Sequence, residues 1–181
     1  MSNAVYIGQG LARSDAPLKV TGRAEFGSDH DKNDMLFGRV LRSPYPHAKI
    51  LDIDTSAAER LPGVKGVVTG KPLVKPVGMF LQDEPLLATD RVRYRGEGVA
   101  AVGAVSEDIA EDALSLIRVE YEELPAVFDP ESAMAEDAPR VHEDKENAID
   151  RFRVTFGDVE RGFQDADVIV ENRYTTGRVA H

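Results

Sequence analysis

Residues 36–70 read LFGRVLRSPYPHAKILDIDTSAAERLPGVKGVVTG, and the pattern of this stretch decides the class of fold. An alternating run ends at two prolines, and a second one, KILDID, is typical of a half-buried strand. Thr55 can cap a short helix over the alanines that follow, which Pro62 and Gly63 end. VKGVVTG then predicts a third strand. Short strands interrupted by a helix indicate a mixed α+β domain.

The middle of the chain adds the most apolar strand and the clearest helix. Residues 70–90 carry three prolines and no period, which predicts a long surface loop. RVRYRGEGVAAVGAVS follows, and its nearly continuous apolar run Val99–Val105 predicts a strand buried on both faces. SEDIAEDALSLI predicts a helix that Ser106 caps. One face of that helix would be apolar at Ile109, Ala110, Ala113, Leu114 and Ile117. RVEYEELPAVF predicts a further strand.

The last third of the chain is less regular. Residues 131–150 are acidic and poorly periodic, which is typical of a linker or a surface excursion. DVERGFQDA predicts a short helix capped by Asp158, and DVIVENRYTTGR predicts a final strand. The whole chain is therefore expected to combine several short mixed strands with two or three helices.

The composition narrows the classes of function. The chain has 181 residues, of which 42% are hydrophobic and 30% charged, and its net charge is −10. This excess of acidic residues argues against a nucleic-acid surface, which needs clustered Lys and Arg. No run approaches the roughly eighteen apolar residues of a membrane span. The N-terminus MSNAVYIGQG lacks the basic flank and apolar core of a signal peptide, so we expect a cytoplasmic location.

The sequence contains no cysteine, which excludes disulfides, thiolate metal sites and any Cys-ligated iron–sulfur cluster held by this chain. The glycine-rich phrase RGEGVAAVG matches neither GxGxxG nor GxxxxGK[ST], and Glu97 within it would repel an anion. We therefore expect these glycines to admit a neighbouring backbone.

The remaining candidate groups do not assemble into a site on sequence grounds. The histidines are scattered, and His47, between Pro46 and Ala48, is best explained as a loop histidine bound by backbone. DHDKND has alternating acids but lacks the Gly and the terminal Glu of a calcium loop, so a solvated turn is expected. Glu122 and Glu123 are adjacent on a strand and point to opposite faces. No catalytic, cofactor-binding or metal-ligating residue can be nominated from residue chemistry alone.

Four phrases in a fixed order resemble a known family. KVTGRAEFGSD and the stretch 36–70 are similar to the start of the molybdenum hydroxylase large subunit. This is the family of xanthine dehydrogenase, aldehyde oxidase and the molybdenum carbon monoxide dehydrogenases. PLLATDRVRYRGEGVAAVGAVSEDIAEDALSLIRVEYEELPAVFDPESAM continues the likeness, and GDVERGFQDADVIVENRYTTGRVAH resembles the connector out of that domain. The resemblance covers the chain from about Ala16 to His181.

The resemblance implies the α/β hammerhead fold and a division of the chain into four parts. We expect a loose N-terminal segment over 1–15, the hammerhead domain over 16–130 and the acidic linker over 131–150. Residues 151–181 would form a connector helix and strand that lead to a molybdenum-binding region missing from this sequence. In the family a phrase resembling H-x-P-[LM]-E begins that region, and His181 would be its first residue. The chain is thus expected to be cut.

The same resemblance implies the chemistry of the whole enzyme. Family members hydroxylate an aldehyde, an N-heterocycle or a similar substrate with water, and a glutamate near the molybdenum acts as base. Molybdopterin, iron–sulfur clusters and often FAD serve as cofactors, and the residues that hold them belong to other domains or subunits. Arg178 and His181 are the candidates for the edge of the pocket on this chain. Their alternative interpretation is an ordinary surface pair at the end of a strand.

Three hypotheses of function follow. In the first, the chain is the hammerhead domain of such an enzyme, inactive alone, and packs against the molybdenum-binding region and the iron–sulfur and FAD parts. In the second, it is a naturally short subunit or interaction module of such a complex. In the third, it is a small-molecule-binding domain that shares only the fold and uses the loop 70–90 as a pocket wall.

Overall fold

The computed structural model describes residues 10–30, 32–70, 76–78, 82–177 and 179. The chain divides into two units, Met1–Val127 and Phe128–His181. The first unit contains all the strands among the described residues, whereas the described part of the second contains two short helices and irregular backbone. Among the described helices, none is both long and apolar enough to cross a membrane.

Two antiparallel three-stranded sheets form the framework of the first unit. The strands are β1 Phe37–Arg42, β2 Ala48–Asp54, β3 Val64–Thr69, β4 Arg91–Val92, β5 Gly98–Ala104 and β6 Arg118–Glu123. The first sheet has the order β1-β5-β3 and the second has the order β4-β2-β6. The strand predictions for this unit are confirmed. Each alternating or apolar run forms a strand whose backbone N–H and C=O groups pair with those of a neighbouring antiparallel strand.

Three helices accompany these sheets: α1 Ala16–Val20, α2 Ser56–Glu59 and α3 Glu107–Leu116. The sequence predicts α2 and α3, and the cap of α3 is confirmed because the Ser106 hydroxyl accepts a hydrogen bond from the backbone N–H of Ile109 at 3.3 Å. The five-residue α1 is an addition, with Pro17 in its first turn, where a missing N–H costs nothing. A 3₁₀ turn, Gly27–Asp29, is a further element that the pattern does not predict.

The central strand β5 connects two apolar clusters. One cluster lies between the first sheet and the helices, and its buried members are Ala58, Ala100, Val102, Ala113 and Ile117. The other lies on the second sheet and consists of Ala48, Ala88, Val92 and Val99. Because side chains alternate along a strand, Val102 and Val99 enter different clusters. Burial on both faces is therefore confirmed for the start of β5, whereas Ala101 and Gly103 are only half-buried.

The loop prediction for 70–90 is confirmed for its described residues, which form neither helix nor strand. They contain an isolated antiparallel bridge, in which the N–H of Val77 donates to the carbonyl of Glu84 at 2.8 Å and the reverse bond measures 2.9 Å. Residues 71–75 and 79–81 of this loop lie outside the described part of the chain.

The second unit contains α4 Pro130–Ala133 and α5 Val159–Gln164. Asp158 caps α5, as the sequence predicts, by accepting from the N–H of Arg161 at 3.0 Å. The four-residue α4 is not predicted by the sequence pattern, because one turn has no measurable period; Asp129 caps it by accepting from the N–H of Ser132 at 2.8 Å. Hydrogen bonding to Ser132 also lowers the pKa of Asp129.

The strand predicted after α5 is not formed. Residues 167–177 have no strand ladder, and Val168, Val170 and Tyr174 are 77%, 76% and 86% exposed. The β-branched residues favour an extended backbone, but a strand also needs a neighbour that pairs with its N–H and C=O groups. No described strand supplies that neighbour, which corrects the prediction of a connector strand.

Candidate functional site

A buried carboxylate lies in the turn between β4 and β5. Glu97 is only 4% exposed, and its side chain accepts a hydrogen bond from the backbone N–H of Arg93. Burial raises the pKa of Glu97, while the hydrogen bond and the charge of Arg93 act in the opposite direction. The sequence interpretation treated Glu97 only as a repulsive charge. The sequence feature that could have indicated its structural role is the position of Glu97 between two glycines, directly before an apolar strand.

This turn is fastened to the end of β1 by three hydrogen bonds. The N–H of Ser43 donates to the carbonyl of Glu97 at 2.9 Å, and the N–H of Gly96 donates back to the carbonyl of Ser43 at 2.9 Å. The Nη1 atom of Arg42 donates to the carbonyl of Gly96 at 2.8 Å. The carboxylate of Glu97 therefore holds a turn that joins two strands, and it faces no open space.

The glycine-rich phrase does not form a phosphate cradle. A Cβ atom at Gly98 would lie 3.1 Å from Leu87 Cδ2 and 3.1 Å from Val40 Cγ1, so the space above this glycine is already filled by the chain itself. The neighbouring backbone that the sequence predicts is not what fills this space, since the two nearest atoms belong to side chains and the carbonyl oxygen of Leu86 lies 3.8 Å away.

His47 lies beside the second sheet and is 6% exposed. Its Nδ1 atom is 2.7 Å from the carbonyl oxygen of Pro125, and because a carbonyl only accepts, Nδ1 carries the proton. The expectation of a loop histidine bound by backbone is confirmed. Its Nε2 atom is buried and has no hydrogen-bond partner among the described residues.

Two half-buried tyrosines and the buried Ser43 lie in the same region. The rings of Tyr45 and Tyr121 are 5.2 Å apart at an angle of 57°, a tilted aromatic pair. The Ser43 hydroxyl donates to the carbonyl of Tyr45 and accepts from its N–H, each at 3.0 Å. Burial raises the pKa of Tyr121, and a hydrogen bond with Ser43 opposes this. These contacts order the PYPH turn, and no nucleophile lies paired with a base in them.

The other groups singled out in the sequence remain separate. Asp29, at the start of DHDKND, accepts from the N–H of Phe26 at 2.8 Å and so closes a local turn. Glu122 forms an ion pair with Lys49 across the sheet at 3.1 Å. Within the part of the chain that the structure describes, no three His, Asp or Glu side chains lie close enough to hold a metal ion.

Arg178 and His181, the two candidates for a pocket edge, lie outside the described residues. Their described neighbours, Gly177 and Val179, are exposed. The role of the two candidates stays a prediction.

Comparison with known proteins places this geometry in a family. Residues 21–125 match the family model described as the aldehyde oxidase and xanthine dehydrogenase a/b hammerhead domain. The chain is 46% identical over 171 residues to a probable xanthine dehydrogenase subunit of Bacillus subtilis, covering 93% of this chain and 23% of that protein. It is 37% identical over 177 residues to the nicotinate dehydrogenase large molybdopterin subunit of Eubacterium barkeri, covering 97% of this chain and 41% of that protein.

The fold is likewise shared with a solved structure. The aldehyde oxidoreductase of Desulfovibrio gigas superposes with a TM-score of 0.75 at 32% identity, over 86% of this chain and 19% of that one. This agreement confirms the α/β hammerhead fold that the resemblance implies. The chain spans less than half the length of each of these relatives.

Proposed function

Because this chain belongs to the aldehyde oxidase and xanthine dehydrogenase family, we propose that it is the hammerhead portion of a molybdenum hydroxylase large subunit. Its role is to fold as a scaffold against which the catalytic portion assembles. The observation that supports this most directly is coverage: the likeness spans nearly all of this chain but under a quarter of the Bacillus subtilis relative. The hammerhead boundaries 16–130 and a cytoplasmic location are part of the same proposal.

The complete enzyme would be a molybdopterin-dependent oxidoreductase that hydroxylates an aldehyde, an N-heterocycle or a similar substrate with water. Its electrons would leave through iron–sulfur clusters, with FAD on a further domain or subunit. The molybdenum-binding region, the iron–sulfur part and the FAD part are the proposed partners.

The groups Glu97, His47 and Gly98 do not fit the molybdenum cofactor. Glu97 binds the backbone of its own turn, His47 binds the carbonyl of Pro125, and Gly98 is covered by Leu87 and Val40. The phosphate of a pterin cofactor needs free backbone N–H groups or cationic side chains that converge on one space, and these three groups offer neither. We therefore assign no step of the reaction to them, and Arg178 and His181 remain the proposed pocket-edge residues.

A second candidate is a naturally short, non-catalytic subunit of the same kind of complex. The lengths of the two relatives support this second candidate, because the matched stretch makes up 23% of one relative and 41% of the other. Members of the family thus differ in how much polypeptide accompanies this domain, and a separate small subunit would extend that variation.

The experiment that separates the two candidates is to sequence the source gene beyond the codon for His181. We expect the frame to continue into a phrase resembling P-[LM]-E and a long downstream region. An immediate stop codon would contradict the first candidate and favour the second.

A parallel measurement on the 181-residue chain tests the scaffold role. After desalting, metal analysis should find no stoichiometric molybdenum or iron, absorption should show no flavin, and no aldehyde or purine should be oxidised. Retained molybdenum together with turnover would overturn both candidates.

A further inference from the structure

The face of the first sheet that lies opposite the helices carries a row of three glycines. The register pairs Gly38 of β1 with Gly103 of β5, and Gly103 in turn with Gly66 of β3. Residues paired directly across strands point to the same side of a sheet. The three glycines therefore lie side by side across all three strands.

The next row on this face is apolar and open. Val40 and Val68 flank Ala101 in the same register, and the two valines are 39% and 41% exposed. The alternate residues of β5, Ala100 and Val102, point to the other side of the sheet and are buried against the helices. One face of the sheet thus forms the core. On the other face Val99 is buried in the second cluster, while the rest, defined as the glycine face (Gly38, Val40, Gly66, Val68, Ala101, Gly103), is exposed on its two outer strands and half-buried at Ala101 and Gly103.

Neither crowding nor a positive φ requires glycine in this row, although the register of β3 shifts between Val64 and Gly66. A Cβ atom at Gly38 or Gly66 would meet no atom within 4 Å, and one at Gly103 would meet only Leu36 Cδ1 at 3.8 Å. None of the three has a positive φ. Glycine in a strand interior is destabilising, and where neither the fold nor the backbone needs it, close approach of another backbone is a physical reason for it.

The glycine face continues into a hollow at one end of the sheet. Leu36, 48% exposed, lies beside Gly103 and connects the two. The lining residues of the hollow are Lys32, Asp34, Met35, Leu36, Phe37, Lys65 and Val105. Among the lining residues that the structure describes, two lysines stand against one aspartate, so this part of the rim is positive although the chain as a whole carries −10. Neither lysine has an ion-pair partner among the residues that the structure describes.

We propose that the glycine face is the docking surface for the larger, catalytic portion of the enzyme. The occupant is an extended backbone segment of that portion, lying across the glycine row with an acidic side chain opposite Lys32 and Lys65. This inference rests on the proposed function.

Three observations favour this occupant. The relatives contain several times more polypeptide than the matched stretch, so a covering portion of the required size exists in the family. A second copy of this chain would bring two positive rims into one isologous interface, which charge repulsion opposes. A flat row of glycines beside partly exposed valines offers no enclosed pocket for a small ligand.

Side-chain footprinting with a radical or carbene reagent tests the proposal on two forms of the protein. The forms are the 181-residue chain and the complete large subunit translated from the source gene. Leu36, Val40 and Val68 should be labelled in the short chain and, in the complete subunit, protected to the level of the core residue Val102. Leu51, 59% exposed on the second sheet, is the matched control and should be labelled in both.

A variant separates docking from folding. Gly38→Thr combined with Gly66→Thr has room in the isolated chain, so its melting temperature there should be unchanged or raised. In the complete subunit the same pair should restore labelling of Val40 and Val68, because the covering backbone can no longer approach. Glu120→Thr, on the exposed side of β6, should leave both readouts unchanged.

The experiments distinguish a failure of the proposed function from a failure of the docking proposal. If the source gene stops at the codon for His181, the proposed function fails first. If the complete subunit exists and Val40 and Val68 label equally in both forms, the docking face is wrong and the proposed function survives. Protection that appears in the short chain with rising concentration would identify a second copy as the occupant and would overturn the proposal.

Discussion

His47 and Pro125 are joined by a 2.7 Å hydrogen bond between the imidazole Nδ1 and the carbonyl oxygen, across 78 positions of sequence. The bond ties the turn before β2 to the chain that leaves β6, the two neighbouring strands of the second sheet. The adjacent backbone bond, from the N–H of Leu124 to the carbonyl of His47 at 2.9 Å, reinforces the same junction. His47 is thus a structural link between an entry and an exit of the sheet.

Replacing His47 with alanine should lower the free energy of unfolding by about 1–2 kcal/mol, since a buried hydrogen bond and its packing are lost. His47→Asn keeps an N–H group close to the position of Nδ1 and should lose less. Urea denaturation of the two variants gives the comparison. The exposed His30→Ala controls for removal of an imidazole and should change nothing. Equal losses for the alanine and asparagine variants would show that the hydrogen bond is not the stabilising contact.

The N-cap of α3 offers a second test. Ser106→Ala removes the hydroxyl that accepts from the N–H of Ile109, and we expect a loss of about 1 kcal/mol in unfolding free energy. Ser115→Ala in the last turn of the same helix is the matched control. Its hydroxyl donates to the carbonyl of Asp112, and alanine is the better helix former, so stability should stay the same or rise slightly. If both variants lose the same amount, the cap contributes nothing of its own.

Gly63 and Gly96 allow conformational strain to be separated from steric overlap. Their φ angles are +97° and +96°, but a Cβ at Gly63 would lie 2.7 Å from Ile109 Cδ1, whereas one at Gly96 meets nothing within 4 Å. Gly96→Ala should cost about 1–2 kcal/mol from backbone conformation alone. Gly63→Ala should cost about 1–3 kcal/mol more, because the side chains of Ile109 and Val105 must shift away from the added Cβ. Thermal unfolding of the two variants measures the difference, and equal costs would mean that these side chains give way freely.

The buried Glu97 predicts a pH dependence with a definite sign. Burial raises its pKa in the folded state, so the folded protein binds more protons than the unfolded one between the ordinary and the raised value. The unfolding free energy contributed by this group is therefore fully present below the ordinary pKa and is lost as pH rises through the raised one.

Glu97→Gln removes this dependence while its side-chain carbonyl can still accept from the N–H of Arg93. As pH rises from the ordinary pKa of a glutamate through the raised pKa of Glu97, the stability of this variant should fall less steeply than that of the parent chain. Glu120→Gln, an exposed glutamate on β6, controls for the loss of one charge. Parallel curves for the parent and the Glu97 variant would refute the assignment.

Most of the local structure could be predicted because its causes are local. The strands β1, β2, β3, β5 and β6 follow from alternation or from a continuous apolar run, and α3 follows from a cap and a repeating apolar face. The caps Ser106 and Asp158 follow from residue type and position. The same rule is wrong for Thr55, whose hydroxyl caps no backbone N–H of α2 and donates instead to the carboxylate of Glu59 at 2.6 Å. The order of four phrases was enough to identify the family, since that order carries more information than any single motif.

The candidate site could be predicted only in part. A backbone partner for His47 was correctly expected, but the pattern could not show that this partner is Pro125. Glu97 was interpreted as a repulsive charge, because nothing local shows that the carboxylate is buried and bound by its own turn. The final strand was predicted from β-branched residues that have no neighbouring strand to pair with among the described residues. Strand propensity is local, whereas strand formation is not.

The sequence alone determined the class of fold, the family, the positions of the regular elements and the exclusion of thiolate chemistry. Only the tertiary structure decided which distant residues meet: His47 with Pro125, Ser43 with Glu97, and the three glycines of one row in one register. The physical reason is that periodicity and capping act over a few residues and can be seen along the chain. Register and burial depend instead on contacts between segments far apart in sequence, and they exist only once the chain has folded.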